Sequence, residues 1–272
     1  MIVAPVNSEN CKICGNVMNK TFNAAILGKY QVDYFICSDC GYVRTEAPYW
    51  LDESYSDAIA ATDVGLVNRN LNNVKLLEPI ISGLFGEDVV CIDIGGGYGL
   101  LTRLLRDVGF DCYTWDKYCD NLFAKDFDAE GGKQSGVLLA FEVMEHLENP
   151  AEFVSSKMKE HGCRSLIFST QLYSGSGPAM DWWYLSFETG QHISLFTERT
   201  LIRLADNLGL RYYRIKGDTH LLTDKPIGLI KRMLLFKKPW SRWYRNYMRK
   251  KRHGKCKIAE DYEYIKSRNI SS

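Results

Sequence analysis

A short glycine-rich stretch near the middle of the chain could bind a small molecule. Residues 89–94 form an apolar run that contains one acid, Asp93, and the run is followed by Gly95, Gly97 and Gly99. An apolar run of this length is typical of a parallel strand that is covered on both faces. Glycines directly after such a strand allow a ligand to approach the backbone before the next helix begins. The stretch therefore predicts a cradle for a small ligand.

Two acids indicate the kind of ligand. The glycines are spaced GxGxG, whereas the dinucleotide fingerprint is GxGxxG. Asp93 lies inside the strand, where it would repel a phosphate and attract a cation. Asp116 follows the next predicted strand, residues 111–115, and a carboxylate at this position can accept both hydroxyls of a ribose. The predicted ligand is a nucleoside with a positively charged tail that is not a phosphate.

These residues resemble the first motif of the class I S-adenosylmethionine-dependent methyltransferases, which is an acid followed by GxGxG. The sequence FEVMEHL at residues 141–147 is similar to the EVxEH sequence that commonly follows the family's fourth strand. The resemblance covers roughly residues 64–223 and implies S-adenosylmethionine as the cofactor. It implies that the methionine end of the cofactor contacts Asp93, Gly95, Gly97 and Gly99, and that the ribose contacts Asp116. It also implies that the region 126–128, with Phe127, lies near the adenine and that Glu142 contacts the cofactor. The alternative is a doubly wound domain with an unrelated glycine turn.

The resemblance also implies the fold. It is a Rossmann-like, doubly wound α/β domain with a mostly parallel, seven-stranded sheet and an antiparallel last strand. The hydrophobic pattern predicts strands at 89–94, 111–115, 137–141 and 165–169, and a closing hairpin of residues 210–216 and 219–223. It predicts helices at 64–82, 100–108, 151–159 and 198–208, of which the first and the last have N-caps at Asp63 and Thr197.

Three polar residues after the predicted fourth strand are candidates for the chemistry. Glu142, Glu145 and His146 are spaced i, i+3 and i+4, so a helical turn that starts at Glu142 would place them on one face. Methyl transfer from a sulfonium is an in-line displacement, and a neutral hydroxyl or carbon acceptor must lose a proton in order to attack. We predict that His146 is the general base and that Glu145 orients it or stabilises its imidazolium form. Several sugar C-methyltransferases with an N-terminal zinc-binding segment have a similar Glu-His pair.

The same residues could instead bind a divalent metal. Small-RNA 2′-O-methyltransferases have a similar ExxEH motif and a later histidine, and they hold a metal with all four side chains. The corresponding residues of this chain are Glu142, Glu145, His146 and His192, and such a set could ligate magnesium, manganese or iron. Without a metal, His192 is a further catalytic candidate or has a structural role in its loop. The sequence leaves these alternatives open.

Two CxxC pairs near the N-terminus predict a structural zinc site. Cys11 and Cys14 form the first pair, Cys37 and Cys40 form the second, and 22 residues separate them. Four thiolates complete a tetrahedral zinc site and leave no open coordination position. A redox dithiol would leave the second pair without a purpose. We therefore predict that residues 1–50 are a zinc ribbon, stabilised by its metal, that acts as a lid or a substrate platform.

The chain between the ribbon and residue 224 divides by composition. Residues 51–85 are predicted to form connecting and covering helices, and residues 86–224 are predicted to form the cofactor-binding domain. Within this domain, residues 171–194 are an aromatic insertion at the carboxyl-terminal edge of the sheet, where substrates bind. The aromatic rings could bind a sugar or another ring substrate, or the loop could fold back onto the core.

Residues 225–272 form a basic, aromatic-rich tail. Residues 1–224 contain 19 Lys and Arg against 30 Asp and Glu, a net charge of −11, whereas the tail contains 15 against 3, a net charge of +12. Basic residues mixed with aromatic ones predict an interfacial segment that contacts anionic lipid. The alternatives are binding of RNA or an acidic partner, and packing of the tail against this protein or a second copy.

Length and composition are those of a globular protein, and the cysteine pattern predicts a cytoplasmic one. The chain has 272 residues, no signal-peptide pattern in its first ten, and nine cysteines of which four have metal-ligand spacing, which indicates reduced thiols. The predicted function is methyl transfer from S-adenosylmethionine to oxygen or carbon of a small molecule, for example a nucleotide- or lipid-linked sugar, at the inner face of the membrane where the tail binds it. The alternatives are a metal-dependent RNA 2′-O-methyltransferase, which the charge of −11 disfavours, and a non-catalytic S-adenosylmethionine-binding module.

Overall fold

The computed structural model describes residues 10–55, 64–129, 131–251 and 256–271. In chain order, its strands are β1 (Met18–Ile26), β2 (Tyr30–Cys37), β3 (Val43–Thr45), β4 (Val90–Ile94), β5 (Asp111–Trp115), β6 (Val137–Ala140), β7 (Ser165–Ser169), β8 (Ser194–Leu195), β9 (Arg211–Lys216) and β10 (Thr219–Thr223). Its α-helices are α1 (Leu51–Ser54), α2 (Leu66–Leu84), α3 (Leu100–Asp107), α4 (Pro150–Glu160), α5 (Glu198–Asn207), α6 (Leu229–Phe236), α7 (Trp240–Lys251) and α8 (Ile258–Ser271). Two 3-10 helices, Met144–His146 and Trp183–Leu185, lie in loops.

The predicted elements of the central domain agree with these bounds to within two residues. Thr197 caps α5 as predicted, because its side chain accepts a hydrogen bond from the backbone N–H of Thr200. The other predicted cap, Asp63, lies outside the described residues.

The central sheet has six strands in the order β5-β4-β6-β7-β10-β9. The pairs β4–β5, β4–β6 and β6–β7 are parallel, and β10 runs antiparallel to β7 and β9. The predicted Rossmann-like α/β fold is thereby confirmed. The expected seventh strand is reduced to one parallel bridge between Thr114 and Asp128 at the edge of β5. Asp126, two residues before the bridge, has a positive φ angle of 68°, which is not a strand conformation.

Helices cover both faces of this sheet. Successive side chains of a strand point to opposite faces, and in β4 Cys91 packs with α2 and α3 whereas Ile92 packs with α4 and α5. Val137 and Leu138 of β6 repeat this alternation. The faces are therefore closed by helices, and the carboxyl-terminal edge of the parallel strands is left to loops.

The N-terminal segment belongs to a second, antiparallel sheet with the order β1-β2-β3-β8. Its fourth strand, β8, comes from the aromatic insertion after β7. Tyr34 of β2 shares one hydrophobic cluster with Tyr184 and Leu195. Trp50 also lies in this cluster, and its Nε1 donates a hydrogen bond to the carbonyl oxygen of Gly190 at 2.8 Å. The insertion therefore folds back onto the ribbon.

The basic tail packs against the helices on one face of the central sheet. Leu235 of α6 enters the hydrophobic layer that contains α2. Arg249 of α7 makes an ion pair with Glu78 of α2 at 2.7 Å. On α8, Asp261 accepts two hydrogen bonds from the guanidinium of Arg106 in α3. Among the described residues, no helix combines the length and the apolar composition that a membrane span requires.

Candidate functional site

The turn between β4 and α3 has a backbone geometry that glycine adopts without strain. Gly95, Gly97 and Gly99 have φ angles of 71°, 55° and 82°, in the left-handed region. A Cβ added at Gly97 would meet no heavy atom of the described chain within 4 Å, so the space in front of this residue is open. A Cβ added at Gly96 would collide with the side chain of Asp93. One side of the turn is therefore accessible and the other packs against a buried acid.

Asp93 is the only acid of β4, and its side chain is incompletely satisfied. The residue is 2% exposed, and its Oδ2 has no hydrogen-bond partner among the residues that the structure describes. Burial, and secondly the charge of Asp116, raise the pKa of Asp93 to about 8. The neighbouring Oγ1 of Thr114 also lacks a partner within the described ranges. A cationic group of a ligand would supply the missing interaction, so these residues fit S-adenosylmethionine.

Asp116, at the end of β5, fastens the glycine turn. Its Oδ2 accepts a hydrogen bond from the backbone N–H of Gly97 at 2.9 Å. Its Oδ1 accepts from the backbone N–H groups of Tyr118 and Cys119 at 2.8 and 2.9 Å. A carboxylate offers about four lone-pair sites. Three of these sites accept backbone N–H groups, and the remaining capacity is available to a ribose, whose contact with Asp116 stays a prediction. We name Asp93, the glycine turn and Asp116 the cofactor cradle.

Phe127, which was expected near the adenine, is buried at the edge of β5. Its side chain is 3% exposed, and the guanidinium of Arg106 lies 3.6 Å from the centre of its ring. The ring of Tyr264 in α8 lies 5.7 Å away, centre to centre. These contacts cover Phe127, so its role in the structure is packing. The exposed residues of this region are its neighbours Asp126 and Asp128.

Glu142 does not begin a helical turn, and the predicted convergence with Glu145 and His146 on one helical face is wrong. Its φ angle is 55°, a left-handed value that is strained for a residue with a side chain. The 3-10 helix begins two residues later, at Met144. Ser169 Oγ accepts a hydrogen bond from the backbone N–H of Glu142 and donates one to its Oε1, at 2.8 and 2.6 Å. Glu142 is thereby bound to the end of β7.

Glu145, which lies in the 3-10 helix after Glu142, is fully buried. The hydroxyl of Tyr184 donates a hydrogen bond to its Oε1 at 2.6 Å. Its Oε2 finds no hydrogen-bond partner in the part of the chain that the structure describes. Burial, and secondly the charge of Glu142, raise the pKa of Glu145 to about 8. Glu145 is therefore a mostly neutral acid at pH 7 in the ligand-free protein.

His146 is held through one of its two ring nitrogens. Nδ1 lies 3.1 Å from the carbonyl oxygen of Gln191 and 2.9 Å from the hydroxyl of Tyr55. Because a carbonyl oxygen can only accept, Nδ1 carries the proton and Nε2 keeps its lone pair. Desolvation, and secondly the neighbouring His192, lower the pKa of His146 to about 3. Gln191 and Tyr55 therefore orient the imidazole, and within the described structure Glu145 makes no hydrogen bond to it, so the predicted role of Glu145 towards His146 stays a prediction.

His192 lies beside His146 and has the same tautomer. Its Nδ1 lies 2.6 Å from the carbonyl oxygen of Tyr184, and burial lowers its pKa. The two imidazole rings are 5.0 Å apart, centre to centre, and almost perpendicular. The ligand atoms of Glu145, His146 and His192 lie within 4.8 Å of one another, and we name these three residues the acid–base cluster. Glu142 lies outside this group, so the predicted four-residue metal set is reduced to three.

The second sheet positions this cluster. The backbone N–H of Ile193 donates to the carbonyl oxygen of Glu145 at 2.9 Å, and Ser194 Oγ donates to that of Leu147 at 2.5 Å. Ser194 belongs to β8, which pairs with β3 of the ribbon. The sequence reasoning missed Gln191 and identified Tyr184 only as one aromatic residue of the insertion. The available signal was their position in the same loop as His192.

The four N-terminal cysteines converge as predicted for a metal site. Sγ of Cys11 lies 3.6 Å from Sγ of Cys40, and Sγ of Cys14 lies 3.4 Å from Sγ of Cys37. A tetrahedral zinc site with Zn–S distances of about 2.3 Å has S–S edges of about 3.8 Å. The four sulfur atoms therefore fit one zinc ion.

Comparisons with known proteins give one family match. A family model described as "Methyltransferase domain" matches residues 68–215. No curated protein sequence matches the chain. Similar solved structures include the mitomycin 7-O-methyltransferase MmcR, with 17% identity, 64% of this chain and 59% of that chain covered, and a TM-score of 0.39.

Two further structures cover more of their own length. A 1,6-didemethyltoxoflavin-N1-methyltransferase of Burkholderia thailandensis has 14% identity, 75% of this chain and 97% of that chain covered, and a TM-score of 0.47. The magnesium protoporphyrin IX methyltransferase of Synechocystis PCC 6803 has 15% identity, with 63% and 90% covered and a TM-score of 0.41. The chain spans about 60% of the length of the first structures that it matches.

Proposed function

The chain belongs to the methyltransferase domain family, and from this premise we propose that it transfers a methyl group from S-adenosylmethionine to an oxygen or carbon atom of a small molecule. When bound, the cofactor supplies an electrophilic methyl group on a sulfonium ion. Asp93 would face the cationic methionine end, the open side of Gly97 would admit the ligand, and Asp116 would accept a ribose hydroxyl. The unsatisfied Oδ2 of Asp93 supports this assignment.

His146 is the general base of this proposal. The observation that carries it is the pair of contacts at Nδ1, which leaves the Nε2 lone pair free to accept a proton. In the reaction, the acceptor gives its proton to Nε2 while its oxygen or carbon forms the new bond to the methyl group. The C–S bond breaks and its electrons neutralise the sulfonium. Burial disfavours the resulting imidazolium, so His146 passes the proton on, and the adjacent His192 is the nearest imidazole.

A divalent metal at the acid–base cluster is a second candidate, because one observation favours it. Both imidazoles have Nδ1 bound to a carbonyl oxygen, and such contacts orient a histidine so that Nε2 can ligate a metal. Two such histidines and one carboxylate form a set that suits non-haem iron or manganese. Glu145 Oε2 would be the third ligand. A metal there would polarise the acceptor hydroxyl and replace the need for a base.

The acceptor is proposed to be a ring compound such as a carrier-linked sugar. Tyr118 is exposed and stacks on Tyr55, which contacts His146. Trp183, next to Tyr184 in the insertion, is 70% exposed. These rings offer flat apolar surface beside the polar cluster, which suits the apolar face of a sugar. RNA is disfavoured because the net charge of residues 1–224 is −11.

Calorimetric titration of S-adenosylmethionine and S-adenosylhomocysteine into the purified protein tests the cofactor assignment. We expect binding that is weakened at least about tenfold in Asp116→Ala, because the substitution removes the ribose contact and loosens the glycine turn. Asp120→Ala, an exposed acid in the following loop, is the matched control and should bind as the wild type does. No binding to the intact, zinc-loaded protein would refute the proposal.

An acceptor screen that starts with nucleotide sugars then separates the candidate functions. Release of S-adenosylhomocysteine without added metal, and unchanged by a chelator that leaves the zinc in place, supports the base mechanism. Activity that requires added manganese or iron supports the metal. Tight cofactor binding with no turnover on sugars, nucleotides or RNA would leave a non-catalytic binding module.

A further inference from the structure

The outer face of α6 and α7 is a surface that the proposed function does not use. The inner side of this helix pair is fixed to the body of the protein. Leu235 and Phe236 lie in the hydrophobic layer of the central sheet. Arg249 makes an ion pair with Glu78 at 2.7 Å, and Arg245 donates to the carbonyl oxygen of Lys75 at 3.1 Å. The two helices are therefore a folded part of the molecule, and their orientation is set.

The outer face carries large apolar side chains. Trp240, Trp243 and Tyr247 are spaced i, i+3 and i+7, which places them along one side of α7. The rings of Trp243 and Tyr247 are stacked, with their centres 5.8 Å apart. Six apolar residues of the two helices are between 46% and 79% exposed: Leu229, Ile230, Met233, Trp240, Trp243 and Tyr247. A cluster of this kind on one face indicates a contact surface. We name it the α6–α7 face.

The charged residues of the segment that forms the α6–α7 face are all positive. Residues 225–257 contain 13 Lys and Arg and no Asp or Glu. Lys231, Lys237, Lys238, Arg242 and Lys250 are exposed on the same two helices or the segment between them. Residues 1–224, which precede this segment, have a net charge of −11. A negatively charged partner would therefore attract this face and repel the remaining surface, so it would bind in one orientation.

We propose that the α6–α7 face docks on an anionic lipid bilayer. Leu229, Ile230 and Met233 would enter the acyl boundary, and Trp240 and Trp243 would lie at the level of the head groups, where indole rings are favoured. Lysine and arginine side chains would contact the lipid phosphates. Nucleic acid offers no partner for the aliphatic residues, and a second copy would bring two positive faces together. A bilayer satisfies both the apolar and the charged residues.

Docking would fix the orientation of the candidate active site relative to the membrane surface. Helix α2 contacts α7 at Glu78, and Arg69 near its start partly opposes the rise that burial causes in the pKa of Glu145. Nine residues of helix separate Arg69 from Glu78, about 14 Å at 1.5 Å per residue. The docking surface is independent of the proposed function, whereas its use for a lipid-linked acceptor rests on that function.

Vesicle flotation of the full-length protein tests the inference. Vesicles of phosphatidylcholine are compared with vesicles that also contain phosphatidylglycerol, at low and high salt. We expect binding to the anionic vesicles only, and weaker binding at high salt. The triple variant Lys237→Ala, Lys238→Ala and Arg242→Ala should bind about 100-fold more weakly, because each basic residue near a bilayer contributes about fivefold.

The double variant Trp240→Ala and Trp243→Ala should bind about tenfold more weakly, because it loses the interfacial rings. Trp183→Ala is the matched control: it removes a tryptophan of the aromatic insertion that is more exposed than either of these two, and it should float as the wild type does. Thermal melting by circular dichroism checks that each variant is folded.

Three results would overturn the inference. The first is that the protein does not float with anionic vesicles, and the second is that the folded tryptophan double variant floats as the wild type does. The third is that the variants of this face lose solution dimers or RNA binding while their flotation is unchanged. The cofactor titration is a separate measurement. A protein that binds S-adenosylmethionine and does not float refutes the docking surface alone.

Discussion

The cofactor cradle and the acid–base cluster each contain one buried carboxyl group whose pKa burial raises to about 8. They differ in what holds that group. Oε1 of Glu145 accepts a 2.6 Å hydrogen bond from Tyr184, while Oε2 of Glu145 and Oδ2 of Asp93 both lack a partner among the described residues. The cradle therefore lacks a charge that a ligand can bring. In the cluster, the protein already holds one carboxyl oxygen of Glu145 and Nδ1 of both histidines.

The two regions also differ in how they are built. The cradle comes from one stretch, residues 93–119, and its main contacts involve backbone N–H groups. The cluster combines the motif after β6 with Tyr55, Tyr184 and Gln191, which lie far away in the sequence. Its backbone is fixed to the ribbon through β8. Damage to the ribbon should therefore disable the cluster and spare the cradle.

The largest effect is expected from Cys37→Ser, which removes one of the four predicted zinc ligands. Structural zinc contributes about 10 kcal/mol or more to the folding of small metal-dependent domains. Without it, β3 cannot hold β8, so we expect loss of zinc and of methyl transfer. Binding of S-adenosylmethionine should change by less than about threefold, because the cradle lies within the central domain. Zinc content is measured by mass spectrometry and affinity by calorimetry.

Cys256→Ser is the matched control for this experiment, because Cys256 is an exposed free cysteine outside the cluster of four. It should retain zinc and activity. If Cys37→Ser lost cofactor binding together with activity, the two regions would not be separable as the structure suggests.

The second effect is expected from His146→Ala. General-base catalysis contributes about 10²- to 10⁴-fold, so the rate of S-adenosylhomocysteine release with the acceptor from the screen should fall by this amount. The affinity for the cofactor should stay the same, because His146 has no contact with the cradle in the described structure. Full activity in this variant would remove the base. If the affinity of the protein for manganese fell by the same factor as the rate, this result would favour the metal mechanism.

The third effect concerns Asp93→Asn and pH. Between about pH 4 and pH 8 the folded protein keeps a proton on Asp93 that the unfolded chain has lost, so the free energy of unfolding should fall as pH rises through this range. Asn cannot ionise, so its free energy of unfolding should not fall in this way. Urea denaturation across this pH range should show that the free energy of unfolding of the variant rises relative to that of the wild type by at least about 1.4 kcal/mol, the equivalent of one pKa unit. The same variant should bind S-adenosylmethionine more weakly. A stability difference that does not vary with pH would contradict the raised pKa.

The cradle is built from one stretch of chain and the acid–base cluster from several, and this difference explains which parts of the site the sequence predicted. The strand, the glycine turn and Asp116 follow one another in the chain, so local pattern and spacing predicted their order and the fold around them. The partners of His146 could not be predicted in this way, because Gln191 and Tyr55 meet it only after the insertion has packed on the ribbon. The left-handed backbone of Glu142 also left no signal, because a motif written as i, i+3, i+4 presumes helical geometry. The packing of Phe127 depends on α8, from the far end of the chain.

The smallest effect is expected from Tyr184→Phe. This substitution tests the hydrogen bond that Glu145 accepts from Tyr184 and that has no counterpart at Asp93. The substitution removes only the hydroxyl that donates to Glu145, while the backbone carbonyl that holds His192 is kept. Both oxygens of a fully buried carboxyl group would then lack partners within the described structure. An unsatisfied buried polar group costs about 1–3 kcal/mol, so urea denaturation should show a loss of this size. Tyr118→Phe, with an exposed hydroxyl, should show none.

A second substitution shows whether the loss arises at Glu145. Loss of the hydrogen bond leaves the carboxylate form less stabilised, so the pKa of Glu145 should rise further in Tyr184→Phe. Glu145→Gln in the same background cannot ionise and should recover part of the lost stability, and the recovery should grow as pH rises towards the raised pKa of the carboxyl group. The affinity for S-adenosylmethionine should be the same in all of these variants, since the cradle has its own acid. If Tyr184→Phe left the stability unchanged, the hydroxyl would not be what holds Glu145, and the two carboxyl groups would be equally unsatisfied.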